Sequence, residues 1–162
     1  LCRQRGYYVD QRDLDQTVRS FKWAFGHRPR RALSFAVPHF KKKKGSLGVF
    51  FSEEPANLRT FTMYYQMVEE DNAMRSSGKI TRIVVVVQRG PTPPKRKIGD
   101  IVFETFQDHE LFNISENELV PDHVILTPEE KTELLMQYDE NQLPRLQADD
   151  FAARYFGVER GQ

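Results

Sequence analysis

Ile83-Val84-Val85-Val86-Val87 is a run of five β-branched residues with no polar interruption. A half-buried strand alternates apolar and polar residues, so an unbroken run predicts a strand covered on both faces, as in a parallel sheet. Upstream, residues 60–74 carry Phe61, Tyr64, Tyr65 and Val68 at helical spacing, which predicts an amphipathic helix. Earlier still, residues 32–37 and 47–51 are two apolar stretches separated by Lys41-Lys42-Lys43-Lys44-Gly45. Adjacent lysines repel one another and stay in water, so these stretches read as two strands joined by an exposed basic hairpin. Strand, helix, strand in that order predicts a right-handed βαβ unit with parallel pairing. Downstream, Gly90-Pro91-Thr92-Pro93-Pro94 predicts a stiff turn, because each proline fixes its own φ and restricts the residue before it. Ile101, Phe103 and Thr105 alternate with polar neighbours and predict one more strand closing the first domain.

Toward the N-terminus, Leu14, Val18, Phe21 and Phe25 recur at helical spacing, with Asp10 as N-cap and Gly26 as terminator. They predict one amphipathic helix whose apolar stripe faces a core, with Trp23 off the stripe. Composition changes near Asp108, and residues 113–121 read as a short connection. Val124-Ile125-Leu126 is strand-like. Thr127-Pro128-Glu129-Glu130 is a strong helix start, with Thr at the N-cap, Pro at the first position and Glu completing a capping box. Leu134, Leu135 and Tyr138 give that helix an apolar face. The expected fold is mixed α and β: an α/β domain with a small mixed sheet over residues 1–108, then a small α+β domain over residues 109–162.

With 39% hydrophobic and 29% charged residues, the 162-residue chain has the material for a core and too much apolar content for a disordered segment. A formal net charge of +1 excludes a uniformly polycationic nucleic-acid binder, although Arg28-Pro29-Arg30-Arg31, the Lys41–Lys44 run and Lys95-Arg96-Lys97 are local basic clusters. Cys2 is the single cysteine, so an intrachain disulfide and a Cys-based zinc site are both excluded, which fits a reducing compartment. Apolar runs fall short of the ~20 residues of a membrane helix, and the chain opens without a signal-peptide pattern. These features predict a soluble intracellular protein. Leu1 stands where a Met would begin a chain, so we expect residues before it.

His27, His39, His109 and His123 are scattered, without spacing that places two on one metal. Asp108-His109-Glu110 resembles an acid–base group, but adjacent residues on a strand point to opposite faces. Glu53-Glu54 and Glu69-Glu70-Asp71 fit solvated faces or helix caps, and the common nucleophile and phosphate-loop motifs do not occur. No catalytic residue, metal or cofactor is therefore predicted, and a magnesium nuclease, the enzyme alternative, lacks a convergent set of carboxylates and lysine. The better functional clue is residues 90–97, a stiff turn with the Thr92 hydroxyl and three cations, groups that bind phosphate oxygens.

Beyond this point the residues become specific. Asn113-Ile114-Ser115-Glu116-Asn117-Glu118-Leu119-Val120-Pro121-Asp122-His123 resembles the entry to the assembly domain of the fifth common subunit of eukaryotic RNA polymerases, a domain that the archaeal polymerase also has. Thr127-Pro128-Glu129-Glu130-Lys131, Glu140-Asn141-Gln142-Leu143-Pro144-Arg145-Leu146 and Ala152-Ala153-Arg154-Tyr155-Phe156-Gly157-Val158-Glu159-Arg160-Gly161-Gln162 resemble its following segments, in the family's order. In the first domain, Arg5-Gly6-Tyr7, Leu14-Asp15-Gln16-Thr17, Phe50-Phe51-Ser52-Glu53-Glu54-Pro55 and Gln88-Arg89-Gly90-Pro91-Thr92-Pro93 are similar to the eukaryotic subunit.

The resemblance implies a non-catalytic structural subunit of nuclear DNA-directed RNA polymerases. Its first domain would form part of the lower jaw near downstream duplex DNA, and its second would bind the largest subunit. It implies DNA contact at Thr92 and Pro93, which the residue reading extends to Lys95, Arg96 and Lys97, and a subunit interface at Leu143, Pro144, Arg145, Arg154, Tyr155, Phe156 and Gly157. Implied partners are the other polymerase subunits, downstream DNA and transcription activators, with no membrane; the implied location is the nucleus. A paralogue serving one polymerase as an activator-binding module is the alternative. The family continues past Gln162 with further strand residues, so the C-terminal end is expected to be truncated.

Overall fold

In the computed structural model, which describes residues 1–41, 45–111, 118, 120–159 and 161, the chain divides into Cys2–Leu111 and a second unit formed by Phe112–Gln162 with Leu1. The first unit carries α1 (Gln11–Leu14), α2 (Val18–Phe25), β1 (Phe35–Pro38), β2 (Ser46–Phe51), α3 (Leu58–Met74), β3 (Ile80–Val87), β4 (Arg96–Ile98) and β5 (Ile101–Gln107). The second carries α4 (Pro128–Gln137) and α5 (Phe151–Phe156). All five strands form one mixed sheet in the order β1-β2-β3-β5-β4. β2, β3 and β5 are parallel, and β1 and β4 are antiparallel edges. The predicted βαβ unit is β2-α3-β3, and the predicted hairpin is β1-β2. Residues 42–44 of the expected hairpin loop, and residues 113–117 and 119 of the expected connection, lie outside the described residues.

β3 is central, and residues 83–87 are each at most 1% exposed, so both of its faces are covered. One face, with Ile83, Val85 and Val87, packs with Phe50, Ile101 and Phe103 against Phe61, Tyr64 and Val68 of α3. Phe50 stacks on Tyr64 with ring centroids 4.7 Å apart, and Phe61 lies 5.4 Å from Phe103. α3 is set at both ends by side chains that satisfy backbone groups. At its start, Asn57 accepts from the Thr60 amide at 2.9 Å. At its end, the Asn72 carboxamide accepts from the Ile80 amide at 2.7 Å and donates to the Ile80 carbonyl at 2.9 Å, acting as a substitute strand partner where β3 begins.

The opposite face of β3, with Val84 and Val86, is the side of the N-terminal segment. Tyr7 is buried and bridges to His39, whose ring it meets edge-on at 4.9 Å. Amide–carbonyl bonds from Tyr8 to Pro38 and from Phe40 to Gly6, at 2.8 and 2.9 Å, tie this segment to the end of β1.

Three expectations need correction. The single helix expected through Leu14 to Phe25 is two helices, because Thr17 takes an extended conformation and caps α2 by accepting from the Ser20 amide at 3.2 Å. The apolar stripe of α2 does not face a core: none of its residues is buried, Val18 is 72% exposed and Trp23 89%. Val124-Ile125-Leu126 joins no ladder, and Val124 is 80% exposed; β-branched residues form strands only where a neighbour supplies hydrogen bonds and cover. Among the described residues the second unit holds no strand. Its helix start is as predicted: Thr127 accepts from the Glu130 amide, while the Glu130 carboxylate accepts from the Thr127 amide. Those bonds hold the Glu130 carboxyl below its ordinary pKa.

Truncating Phe61 should expose the dependence of the sheet on α3. Phe61→Ala is expected to lower unfolding stability by about 3–5 kcal/mol, as for buried aromatics generally, whereas Met63→Ala, on the exposed side of α3, should change it by no more than about 0.5 kcal/mol. Urea unfolding followed by circular dichroism measures both, and equal losses would refute the packing described.

Candidate functional site

Residues 88–95 leave the carboxyl end of β3 and return as the edge strand β4. Gly90 opens this turn at φ 108°, a backbone conformation unfavourable for residues with a Cβ. Its carbonyl accepts from the Gln107 carboxamide at 2.7 Å, which fastens the turn to the end of β5. Thr92 and Pro93 are half-buried, while Pro91 and Pro94 are exposed. The stiff turn ends sooner than the sequence indicates, since Arg96 and Lys97 pair with Phe103 and Val102 of β5.

This pairing separates the three adjacent cations. Successive strand residues point to opposite faces. Ile98 packs on the α3 side of the sheet, so Arg96 shares that side and Lys97 takes the other. Lys95, one residue before the strand, is on the side of Lys97, with its ammonium 3.8 Å from a Glu104 carboxylate oxygen.

Glu104 is a buried carboxylate on β5. Arg5 contacts it at 2.7 Å with both side chains nearly inaccessible, and Arg82 of β3 lies 3.5 Å away. The Arg5 guanidinium also lies over the Phe106 ring, 5.6 Å from its centroid. One carboxylate thus faces three cations. Burial pushes the neighbouring Tyr7 phenol above its ordinary pKa, opposed by the positive charges of Arg82 and Arg5. Sequence reading missed this cluster because its members come from four separate segments and share no spacing.

Arg30, from the basic cluster at residues 28–31, forms a bidentate pair with Asp108 at 2.7 and 2.8 Å and donates to the Ser52 carbonyl at 3.3 Å. It therefore clamps the carboxyl ends of β2 and β5. Asp108-His109-Glu110 is not on a strand but in a 3₁₀ turn, Asp108–Leu111. Asp108 is held by Arg30 and Glu110 accepts from the Gln107 amide at 2.6 Å, so both carboxylates have structural partners. Among the described residues no group of three or more His, Cys, Asp or Glu is arranged to hold a metal, and no helix is long and apolar enough to cross a membrane.

In the second unit, Arg154, Tyr155, Phe156 and Gly157 form the end of α5. Asp150 caps its start by accepting from the Ala152 amide at 2.8 Å. Gly157 closes it at φ 67°, donating to the Ala153 and Arg154 carbonyls, a left-handed termination that glycine adopts most readily. Tyr155 is buried, with its ring centroid 5.9 Å from that of Phe151 and 5.4 Å from that of Phe156. Phe156 also stacks on His123 at 5.6 Å. Leu143 is half-buried after the 3₁₀ turn Glu140–Gln142, while Pro144 and Arg145 are exposed, and Arg145 donates to Asn141 at 3.1 Å.

Two family models match separate parts of the chain. The family model described as RNA polymerase Rpb5, N-terminal domain, matches residues 1–70, and the one described as RNA polymerase Rpb5, C-terminal domain, matches residues 112–162. The chain is 41% identical over 177 aligned positions to the DNA-directed RNA polymerases I, II, and III subunit RPABC1 of Caenorhabditis briggsae, covering 100% of this chain and 81% of that protein. The Caenorhabditis elegans protein of the same name gives the same identity and coverage. A Dictyostelium discoideum relative of that name is 37% identical over 127 positions, spanning 72% of this chain and 61% of its own length. The chain therefore belongs to the Rpb5 family of RNA polymerase subunits.

Proposed function

We propose that this chain is a structural subunit shared by nuclear RNA polymerases I, II and III, non-catalytic itself, that binds the largest subunit through its C-terminal unit and borders downstream duplex DNA with its N-terminal unit. The observation that carries this reading is the match over the whole chain to relatives named as subunits of all three polymerases. Those names favour a shared subunit over a paralogue confined to one polymerase.

Two physical features support the division of labour. The end of α5 presents Arg154, Phe156 and Gly157 half-buried around an inward Tyr155, a rigid aromatic and cationic group of the kind enriched at protein interfaces. Leu143, Pro144 and Arg145 extend that proposed contact. The turn at Thr92 and Pro93 is tied down through Gly90 and Gln107, so it loses little entropy on docking. Lys95, Arg96 and Lys97 are exposed beside it. Contacts of such groups with phosphates position DNA without reading its sequence.

A tagged full-length protein recovered from its own nuclear extract is expected to bring the largest subunits of all three polymerases, identified by mass spectrometry. One polymerase alone would overturn the shared-subunit reading, and none would overturn the structural role. For the interface, Arg154→Ala and Gly157→Val should each lower recovery of the largest subunit several-fold. Gly157→Val should also cost the free protein about 1–2 kcal/mol, since a branched side chain must adopt a left-handed backbone. Undiminished co-purification of both variants would contradict the assignment.

A further inference from the structure

Threonine precedes proline at two places in the chain, Thr92-Pro93 and Thr127-Pro128, and the two threonines have opposite surroundings. Thr127 is the N-cap of α4. Its hydroxyl accepts from the Glu130 amide at 3.2 Å, and its own amide donates to the Glu130 carboxylate at 2.8 Å. Thr92 lies within residues 91–95, which belong to no helix or strand. Pro91, Pro93 and Pro94 stiffen that stretch, and Pro93 biases Thr92 toward extended backbone. Thr92 and Pro93 are half-buried between the exposed Pro91 and Pro94. Third after Thr92 comes Lys95, whereas third after Thr127 comes Glu130. The Lys95 side chain is 43% exposed, and its ammonium is 3.8 Å from Glu104, too far for a hydrogen bond.

We infer that Thr92 is the acceptor for a proline-directed protein kinase that reads Pro93 directly after it and the cation of Lys95 three residues on. In the transfer, the Thr92 hydroxyl oxygen bonds to the terminal phosphorus of a nucleoside triphosphate. The bond from that phosphorus to the nucleoside diphosphate breaks, and the hydroxyl proton passes to a base of the kinase.

Each feature has a physical reason. A kinase cleft takes its substrate as an extended strand, which the proline-stiffened stretch already favours. Proline after the acceptor presents no N–H, so an apolar pocket there leaves no donor unpaired. A cation three residues on can form charge-assisted hydrogen bonds with acidic groups of the kinase. Thr127 fails on all three counts: its hydroxyl is engaged, its chain enters a helix, and Glu129 and Glu130 would repel those acidic groups.

From Gln88 to Gly99 the chain carries four cations, Arg89, Lys95, Arg96 and Lys97, and neither Asp nor Glu. A phosphate brings about −1.5 to −2 charges at neutral pH, enough to offset nearly half of that positive charge. Phosphorylation thus switches the electrostatic character of the turn. The acceptor assignment does not depend on the role proposed above for the N-terminal unit.

The folded full-length chain, checked by circular dichroism, should be incubated with ATP and a cyclin-dependent kinase, a class that reads both features. Mass spectrometry of the peptides then locates the phosphate. Phosphate on Thr92 is expected, with Thr127 at background. Thr92→Ser should remain a substrate, and Thr92→Val should remove the signal. Pro93→Ala and Lys95→Gln should each slow incorporation by about tenfold or more, the loss expected for one unpaired or charge-assisted contact. No phosphate on Thr92, as much on Thr127 as on Thr92, or undiminished rates for both Pro93→Ala and Lys95→Gln would overturn the assignment.

Discussion

The fold depends on covering β3 on both faces. A strand whose five central residues are all aliphatic cannot leave either face in water, and the two sides are closed by different means. α3 supplies a hydrophobic layer in which Phe61, Tyr64 and Val68 meet Phe50, Val85 and Phe103. The other side is the side of the N-terminal segment, where the Arg5–Glu104 pair lies beside the buried Tyr7 and Phe106. Taking both charges out of water is expensive, so the buried pair adds less to net stability than its short distance implies, and loss of either partner alone would be severe. Its effect is to fix where β5 and the N-terminal segment meet.

That arrangement determines what the β4 edge presents. An edge strand needs only one hydrogen-bonded neighbour, and charged residues discourage pairing with other chains. β4 therefore tolerates Arg96 and Lys97 within a ladder. Alternation then puts Arg96 and Lys97 on opposite sheet faces, and the buried Glu104 carboxylate lies 3.5 Å from Arg82 and 3.8 Å from Lys95. α2 has a different character. An eight-residue helix without buried residues gains little from packing, and isolated helices of that length are marginal in water.

The parts of this architecture that follow from local chemistry were legible in the sequence. The β-branched run at residues 83–87, the stripe of α3 and the capping box at Thr127 and Glu130 each encode their own structure, and the structure has all three. Segment matches at residues 113–123 and 152–162 were specific enough to indicate the family. What failed were inferences requiring knowledge of neighbours. The stripe of Val18, Phe21 and Phe25 has the period of a buried helix, but periodicity does not say whether a partner exists. Val124-Ile125-Leu126 has strand composition without a ladder to join. Arg96 and Lys97 read as part of the turn because strand propensity disfavours lysine, yet pairing with Phe103 and Val102 overrides it. The cluster at Glu104 was illegible for a simpler reason: the sheet register brings Arg82 and Lys95 to Glu104, and the N-terminal segment brings Arg5.

The central claim is that the register of β4 on β5, and not adjacency along the chain, decides which sheet face Arg96 and Lys97 each present, and with it which of the two would serve the proposed DNA-bordering role. Site-specific photo-cross-linking in the assembled polymerase tests it most directly, with a photoreactive residue placed at position 96 or 97 and a labelled downstream duplex in the cleft. The account predicts cross-links to DNA from position 97 and background levels from position 96. Equal yields from both positions, or cross-links from position 96 alone, would contradict it.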